Sequence, residues 1–454
     1  MTGADRILVI GGNAAGMTAA SRAKRLEPGL DITVLEADER IAYSICGLPY
    51  YLEGRVADIR ELELFTPETL RNERGIEARV RTRVVAISPT QRKIEVEEAG
   101  SGSRETLGYD KLLVATGYRP KIPNIEGSDL EGVFTASRLA DGEAVGSWLD
   151  ERKPRRAVLV GGGYVGLEMA EALSKRGLEV TLVDAAPQLF TALDPDMARH
   201  VEDALVQHGV RVMTGRRVRR LEGSRSRLVE VVELEKGALR IPAELVFVDI
   251  GVAPDVLLAS EAGIELGQSG AIAVSERMET NFAGIYAAGN CAETLHLVTG
   301  RATTIPLGTV AAKQGRVAGE NLAGRRSRFR GAVGTSVVKV FGVAAARTGL
   351  SSAEAVAAGF AVVEATIEGT FRARYFGDAK GTVKVIGDRD SGRLLGAQIV
   401  GSDEAAMRID VAATALTAKM TVHEASQLDL GYAPPLGALW DPLLVALNTL
   451  TREL

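Results

Sequence analysis

Cysteine is scarce in this chain: Cys46 and Cys291 are the only two among 454 residues. That count excludes a disulfide framework and leaves no zinc site of the Cys-pair type within one chain. Histidine is nearly as sparse, and His200, His208, His296 and His423 show no metal-ligand spacing, so no metal is expected. Neither sign of charge dominates. With 54 Lys and Arg against 59 Asp and Glu, the chain lacks the basic footprint of a nucleic-acid partner. Long apolar runs are missing too. No stretch reaches the roughly 18 residues of a membrane span, and the N-terminus enters a strand without a signal-like segment. A cytoplasmic protein with no membrane partner is expected.

What the chain has in quantity is length and glycine. Its 454 residues are about three times the ~150-residue prior for one domain, so two or three domains are expected. Fifty glycines imply many tight turns and close backbone approaches. Two stretches repeat one pattern. Arg6 to Ile10 reads as a strand, followed by Gly11-Gly-Asn-Ala-Ala-Gly16, a helical stretch and a second strand that ends at Glu36. Arg156 to Val160, Gly161-Gly-Gly-Tyr-Val-Gly166 and a strand ending at Asp184 repeat it. Both read as βαβ dinucleotide-binding units. Gly11 and Gly161 allow the tight turn, Gly16 and Gly166 let the helix lie close to its strand, and backbone N–H groups between them receive pyrophosphate. Asn13 replaces the middle glycine in the first unit, where it could cap the helix or touch phosphate; Gly163 keeps it in the second.

Glu36 and Asp184 stand twenty and eighteen positions past Gly16 and Gly166, near the ~20-residue separation of a ribose-binding carboxylate. Asp184 suits a free 2′-hydroxyl and repels a 2′-phosphate, and no Arg follows it in Ala185 to Phe190. NADH is therefore favoured over NADPH, unless a basic residue from a distant loop intervenes. Short strands fill 76–98, and Ala115-Thr116-Gly117 and Gly251 mark matched exits from the two units. After about residue 332 alternating strands and one long helical stretch over 403–420 suggest an α+β domain. The expected fold class is α/β: two Rossmann-like domains plus a C-terminal α+β dimerisation domain. Residues 1–118 and 250–328 form the first domain, 119–249 the second and 329–454 the third.

Ser44-Ile-Cys-Gly-Leu-Pro-Tyr-Tyr51, Ala115-Thr-Gly-Tyr-Arg-Pro120, Gly161-Gly-Gly-Tyr-Val-Gly-Leu-Glu168, Ala288-Gly-Asn-Cys291, Gly315-Arg-Val-Ala-Gly-Glu-Asn321 and Tyr432-Ala-Pro-Pro435 together resemble the single-cysteine branch of the FAD- and NAD-linked pyridine nucleotide-disulfide reductases. That branch holds coenzyme A disulfide reductases, NADH oxidases and peroxidases, and persulfide reductases. The resemblance implies FAD in the first unit, at Gly11, Asn13, Ala15, Gly16, Glu36, Ala115, Thr116, Gly117, Asn290 and Leu307. It implies NADH in the second, at Gly161, Gly163, Tyr164, Val165, Gly166, Glu168, Asp184 and Gly251. Asn290 stands where the family usually has an Asp bonding the ribityl chain. Tyr164 resembles an aromatic gate over the flavin, and Glu168 would hold the nicotinamide carboxamide. A homodimer is implied, each site completed by the partner's copy of Tyr432, with Tyr375 a second candidate.

Position 51 is Tyr, so the thiol of Cys46 has no Cys-x4-Cys partner and must pair with an outside group. The options are a mixed disulfide, a persulfide or a sulfenic acid. A flavin and a helix N-terminus nearby are expected to lower its pKa. Cys291 reads as inert packing at a strand-to-helix turn. Oxidases and peroxidases of the branch usually carry His where this chain has Ala14, which favours reduction of a small disulfide or persulfide, coenzyme A disulfide first. Coenzyme A disulfide reductases hold substrate with Ser and Asn where this chain has Ala42 and Ile45. Arg22, Lys24 and Arg25 could still present a basic face to phosphates. An oxidase or peroxidase using a Cys46 sulfenate is the alternative, and a flavoprotein redox sensor a third, non-catalytic class.

Overall fold

The computed structural model describes residues 5–235 and 239–454. In the first unit Arg6–Ile10 runs parallel to Asp31–Leu35 on one side and to Lys111–Val114 on the other, with Glu77–Arg79 and Ile285–Ala287 at the edges. The second unit repeats the plan around Arg156–Val160, in the order Arg211–Met213, Glu179–Val183, Arg156–Val160, Leu245–Val248, Val133–Phe134. Past their first residue the central strands are apolar because both faces are covered, one by helices and the other by a three-stranded antiparallel sheet that carries Val84 and Ile94 in the first unit and Leu221 and Val232 in the second. Ile7, Leu8 and Val9, and Ala157, Val158 and Leu159, are all buried. Tyr118–Pro120 leaves the first unit and pairs antiparallel with Val252–Pro254, which returns to it.

One close crossing fixes the first site. The helix Ala14–Leu26 packs against Gly308–Leu322, a late segment of the chain. A Cβ on Gly315 would lie 2.3 Å from the Ala15 carbonyl oxygen, and one on Gly319 2.4 Å from that of Ala19. Small residues let the backbones meet, so the late helix seals the first unit.

The third domain is a five-stranded antiparallel sheet in the order Ser336–Val340, Val343–Gly349, Leu394–Gly401, Lys380–Asp388, Val362–Thr370. The α/β class with an α+β third domain is therefore the observed architecture. The expected single helix over 403–420 is instead Asp403–Ala406 and Ile409–Thr417. At the break, the amides of Arg408, Asp410 and Val411 reach three residues back, to Ala405, Met407 and Arg408. That tightening bends the chain.

A buried polar joint locks the second unit to the third domain. Lys384 lies 3.3 Å from Asp194, 3.1 Å from Asp196 and 3.1 Å from Glu364. Gln398 accepts from the Asp194 amide at 2.8 Å and donates to its carboxylate at 2.9 Å.

Candidate active site

The two glycine turns have matching geometry. Gly11 and Gly161 adopt φ +99° and +111°, where a side chain would collide with Ala115 O at 2.2 Å or Asp249 O at 1.9 Å. Gly16 and Gly166 leave only 1.9 and 2.0 Å between a would-be Cβ and the carbonyl oxygens of Gly11 and Gly161. Glu36 accepts from the amides of Gly12 at 2.8 Å and Asp38 at 2.9 Å. Asp184 accepts from Gly162 and Ala186, each at 2.7 Å. Each carboxylate is thereby fixed at the mouth of its own turn. The backbone amide of Arg216, on a later loop, donates to the Asp184 backbone carbonyl at 2.9 Å and ties that loop to the end of the strand.

Neither helix has a side-chain cap at its N-terminus. Asn13 does not cap: its amide oxygen is turned to the Tyr43 amide at 3.3 Å, towards the cysteine segment. First-turn N–H groups without a side-chain acceptor fit a pyrophosphate at each turn. A second observation fits a flavin in the first unit. The side-chain oxygen of Asn290 is buried with no hydrogen-bond partner, and a ribityl hydroxyl would supply the missing donor. Ala115 donates to Ile10 O at 2.8 Å, Thr116 bonds Asp255 O at 2.6 Å, and Gly117 turns at φ +73°. Leu307 caps the helix Gly308–Leu322 without a side-chain bond. The sequence reading missed Gln314, fully buried, which accepts from Gly289 at 2.8 Å and donates to Glu293 O and Thr294 Oγ1 at 2.9 Å each. One Gln among the apolar positions of a helix was its only sign.

Cys46 occupies the short turn Ile45–Gly47 ahead of Leu48–Glu53, a helix that packs on Tyr164–Lys175. It is exposed, whereas Cys291 is wholly buried with its thiol near Val114 O and Ala288 O at 3.6 and 3.5 Å. Cys291 precedes the short strand Thr294–Leu295, not a helix. The expectation of a lowered Cys46 pKa is not met by the protein's own groups. Partial burial, then the Glu168 carboxylate, push the thiol up. Desolvation, then Glu171, raise the Glu168 carboxyl itself from 4.5 to about 7.

That carboxyl yields a pH prediction. Its folded pKa lies above its unfolded one, so folding favours the neutral form; the penalty starts as pH rises past 4.5 and is complete above about 7. It reaches roughly 3 kcal/mol at most. Glu168→Gln should raise the urea midpoint at pH 8 and leave it nearly unchanged at pH 4.5. It should also lower the pH at which Cys46 alkylates with iodoacetamide. An unchanged alkylation profile would show that Glu168 does not govern the thiol.

Tyr164 is drawn into the seam with the third domain, its phenol bonded to Ser336 and its ring edge-on to Phe190 at 4.7 Å. Val165 follows it in the helix, and Gly251 turns at φ +96°. Ala42 is buried at φ +55°, its amide on Gly12 O and its carbonyl on the Leu64 amide, both at 2.8 Å. Arg22 does not stand free: its guanidinium pairs with Glu320 at 2.6 Å, while Lys24 bonds Leu30 O at 2.6 Å and Arg25 is exposed. Tyr375, in the short 3-10 helix Arg374–Phe376, and Tyr432 are exposed in the third domain, their segments joined by the Ala373 amide on Pro434 O at 3.0 Å. Leu436, Leu439 and Trp440 are exposed on the same stretch as Tyr432.

Residues 5–315 match the profile of the pyridine nucleotide-disulphide oxidoreductases, and 335–442 match their dimerisation domain. The chain belongs to that family. Its members are FAD-dependent and use NAD(P)H. The chain is 38% identical to the NAD(P)H sulfur oxidoreductase (CoA-dependent) of Pyrococcus abyssi, over 98% of each chain. It is 35% identical to an NADH oxidase of Methanocaldococcus jannaschii, over 99% of each. The NAD-dependent persulfide reductase of A. fulgidus superposes with a TM-score of 0.95 at 37% identity, covering 99% of this chain and 83% of that one. This oxidoreductase has no helix, among its described residues, long and apolar enough to cross a membrane.

Proposed function

We propose that the chain is a FAD-dependent, NADH-using reductase of a small-molecule disulfide or persulfide, with coenzyme A disulfide the first candidate and Cys46 the redox thiol. The observation that carries this reading is the placement of one exposed cysteine between the two nucleotide units. The other cysteine is inaccessible. FAD supplies the electron relay between NADH and sulfur. Gly11, Gly16 and Glu36 would hold its pyrophosphate and ribose, and Asn290 its ribityl chain. Gly161, Gly163, Gly166 and Asp184 would hold NADH, with Glu168 orienting the nicotinamide end.

The cysteine's task is to attack an outside sulfur as a thiolate and to release a thiol. A homodimer would bring the exposed segments of Tyr375 and Tyr432 to the partner's site, where a phenol can give the leaving thiolate its proton. Arg25 remains a candidate for coenzyme A phosphates; Arg22 would have to share with Glu320. The oxidase reading is favoured by the Methanocaldococcus relative.

The test is an anaerobic assay of NADH consumption with coenzyme A disulfide. Two thiols should appear per NADH, with NADPH at least tenfold less efficient. No turnover with this or any other disulfide or persulfide, together with stoichiometric water from oxygen and a dimedone adduct at Cys46, would transfer the assignment to the oxidase.

A further inference from the structure

Ser336 begins the first strand of the third-domain sheet, a separate domain from the second glycine turn, yet its hydroxyl bonds the phenol of Tyr164. Tyr164 is the first residue of the helix that follows Gly161-Gly162-Gly163. Its ring is held on a second side by Phe190, at 4.7 Å with an interplanar angle of 88°. Phe190 is itself pinned to the turn: its amide donates to Gly162 O at 2.9 Å, and its backbone sits at φ +47°. The helix packs on the strand Ser336–Val340. The ring therefore fills the seam between second unit and third domain, in the apolar cluster that holds Val338 and Val340, with Arg347 and Glu354 close enough to act on its phenol. Burial, the largest influence, pushes the phenol up, so it stays neutral and able to donate.

Ser336 is the hydrogen-bonding partner that this phenol has in the seam. Without it the ring keeps the Phe190 edge but leaves a buried hydroxyl unpaired, which disfavours the seated position. A ring released from the seam is free to take another staggered χ1 position, and Tyr164 directly follows the glycine turn. We propose that Ser336 is a positioning residue for nucleotide binding: its hydroxyl keeps the Tyr164 ring seated in the interdomain seam and so keeps the second glycine turn clear for the nicotinamide dinucleotide. The inference rests on that turn being the NADH site, as proposed above.

The test measures steady-state NADH kinetics and NAD⁺ titration of the FAD-loaded enzyme. Ser336→Ala should raise the NADH KM by about fivefold, the effect of one hydrogen bond, with kcat moved less than twofold. Ser336→Thr, which keeps a hydroxyl, should restore the KM. Tyr164→Phe removes the same bond from the other side, so the double variant with Ser336→Ala should show no larger shift than the greater single one. A KM for Ser336→Ala within twofold of wild type, or single effects that multiply in the double variant, overturns the proposal. If the wild-type enzyme binds neither NADH nor NAD⁺, the functional reading falls with it; loss of the Ser336 effect alone leaves that reading intact.

Discussion

Cys46→Ser should lower NADH-dependent disulfide turnover by on the order of a thousandfold or more. The reason is the element at that position. A hydroxyl is hardly ionised at neutral pH and cannot form a persulfide or a mixed disulfide with the substrate, so the step that receives electrons at sulfur has no acceptor. Cys291 cannot substitute for it, because it is wholly buried and burial raises its thiol further. Cys291→Ala should thus leave turnover within about twofold, a size typical of a change remote from chemistry. The flavin of the Cys46→Ser enzyme should still be bleached by NADH, because the two glycine turns and their carboxylates do not involve Cys46. Stopped-flow flavin reduction and steady-state thiol release, measured on the same preparation, separate the two halves. Full thiol release from the serine variant would sink the proposed chemistry; loss of flavin reduction with retained FAD would mean that Cys46 serves the nicotinamide side instead.

The parts of this site that were legible in the sequence are those whose partners lie close in the chain or follow a fixed spacing. Gly11, Gly16 and Glu36 belong to one βαβ unit, and the bond from Gly12 to Glu36 closes inside it. Gly161, Gly166 and Asp184 repeat that logic. What escaped notice depends on distant partners. Gln314 looks like a stray polar residue until Gly289 folds onto it, and Ser336 has no distinction until Tyr164 reaches it across a domain boundary. The protein's own electrostatics at Cys46 escaped notice for the same reason. A flavin and a helix N-terminus nearby suggest a lowered pKa, but burial first, and then Glu168, brought up by helix packing from far along the chain, give the protein's own contribution the opposite sign. Arg22 shows the converse error: its position on a helix face suggested a free cation, whereas Glu320 of the closing helix claims it.

The buried joint between the second unit and the third domain gives the largest expected loss of stability. Lys384 and Asp194 have side-chain exposures of 4% and 5%, and their charges face each other at 3.3 Å. Burial alone would lower the Lys384 pKa, but Asp194, Asp196 and Glu364 outweigh it and the net shift is upward, which marks a cation held by its neighbours. Asp194 depends on that cation. Its carboxylate also accepts from Ser352 and Gln398, so it is locked in place and cannot turn to solvent. Lys384→Ala would leave this carboxylate buried without its counter-ion, and loss of one partner of a buried pair costs roughly 3–5 kcal/mol. The surface pair Lys339–Asp403 is the control. It is shorter, at 2.6 Å, but Lys339 and Asp403 are 48% and 63% exposed, and exposed pairs contribute about 0–1 kcal/mol. Burial, not distance, should therefore rank the two. Thermal melts should show Lys384→Ala unfolding several degrees below wild type, with Lys339→Ala close to it. Lys384→Ala/Asp194→Asn should recover part of the loss, because the neutral amide no longer needs the cation. Equal melting points for the two lysine variants would mean that water or a rearranged side chain compensates Asp194, and the joint would then fix the orientation of the second unit without stabilising it.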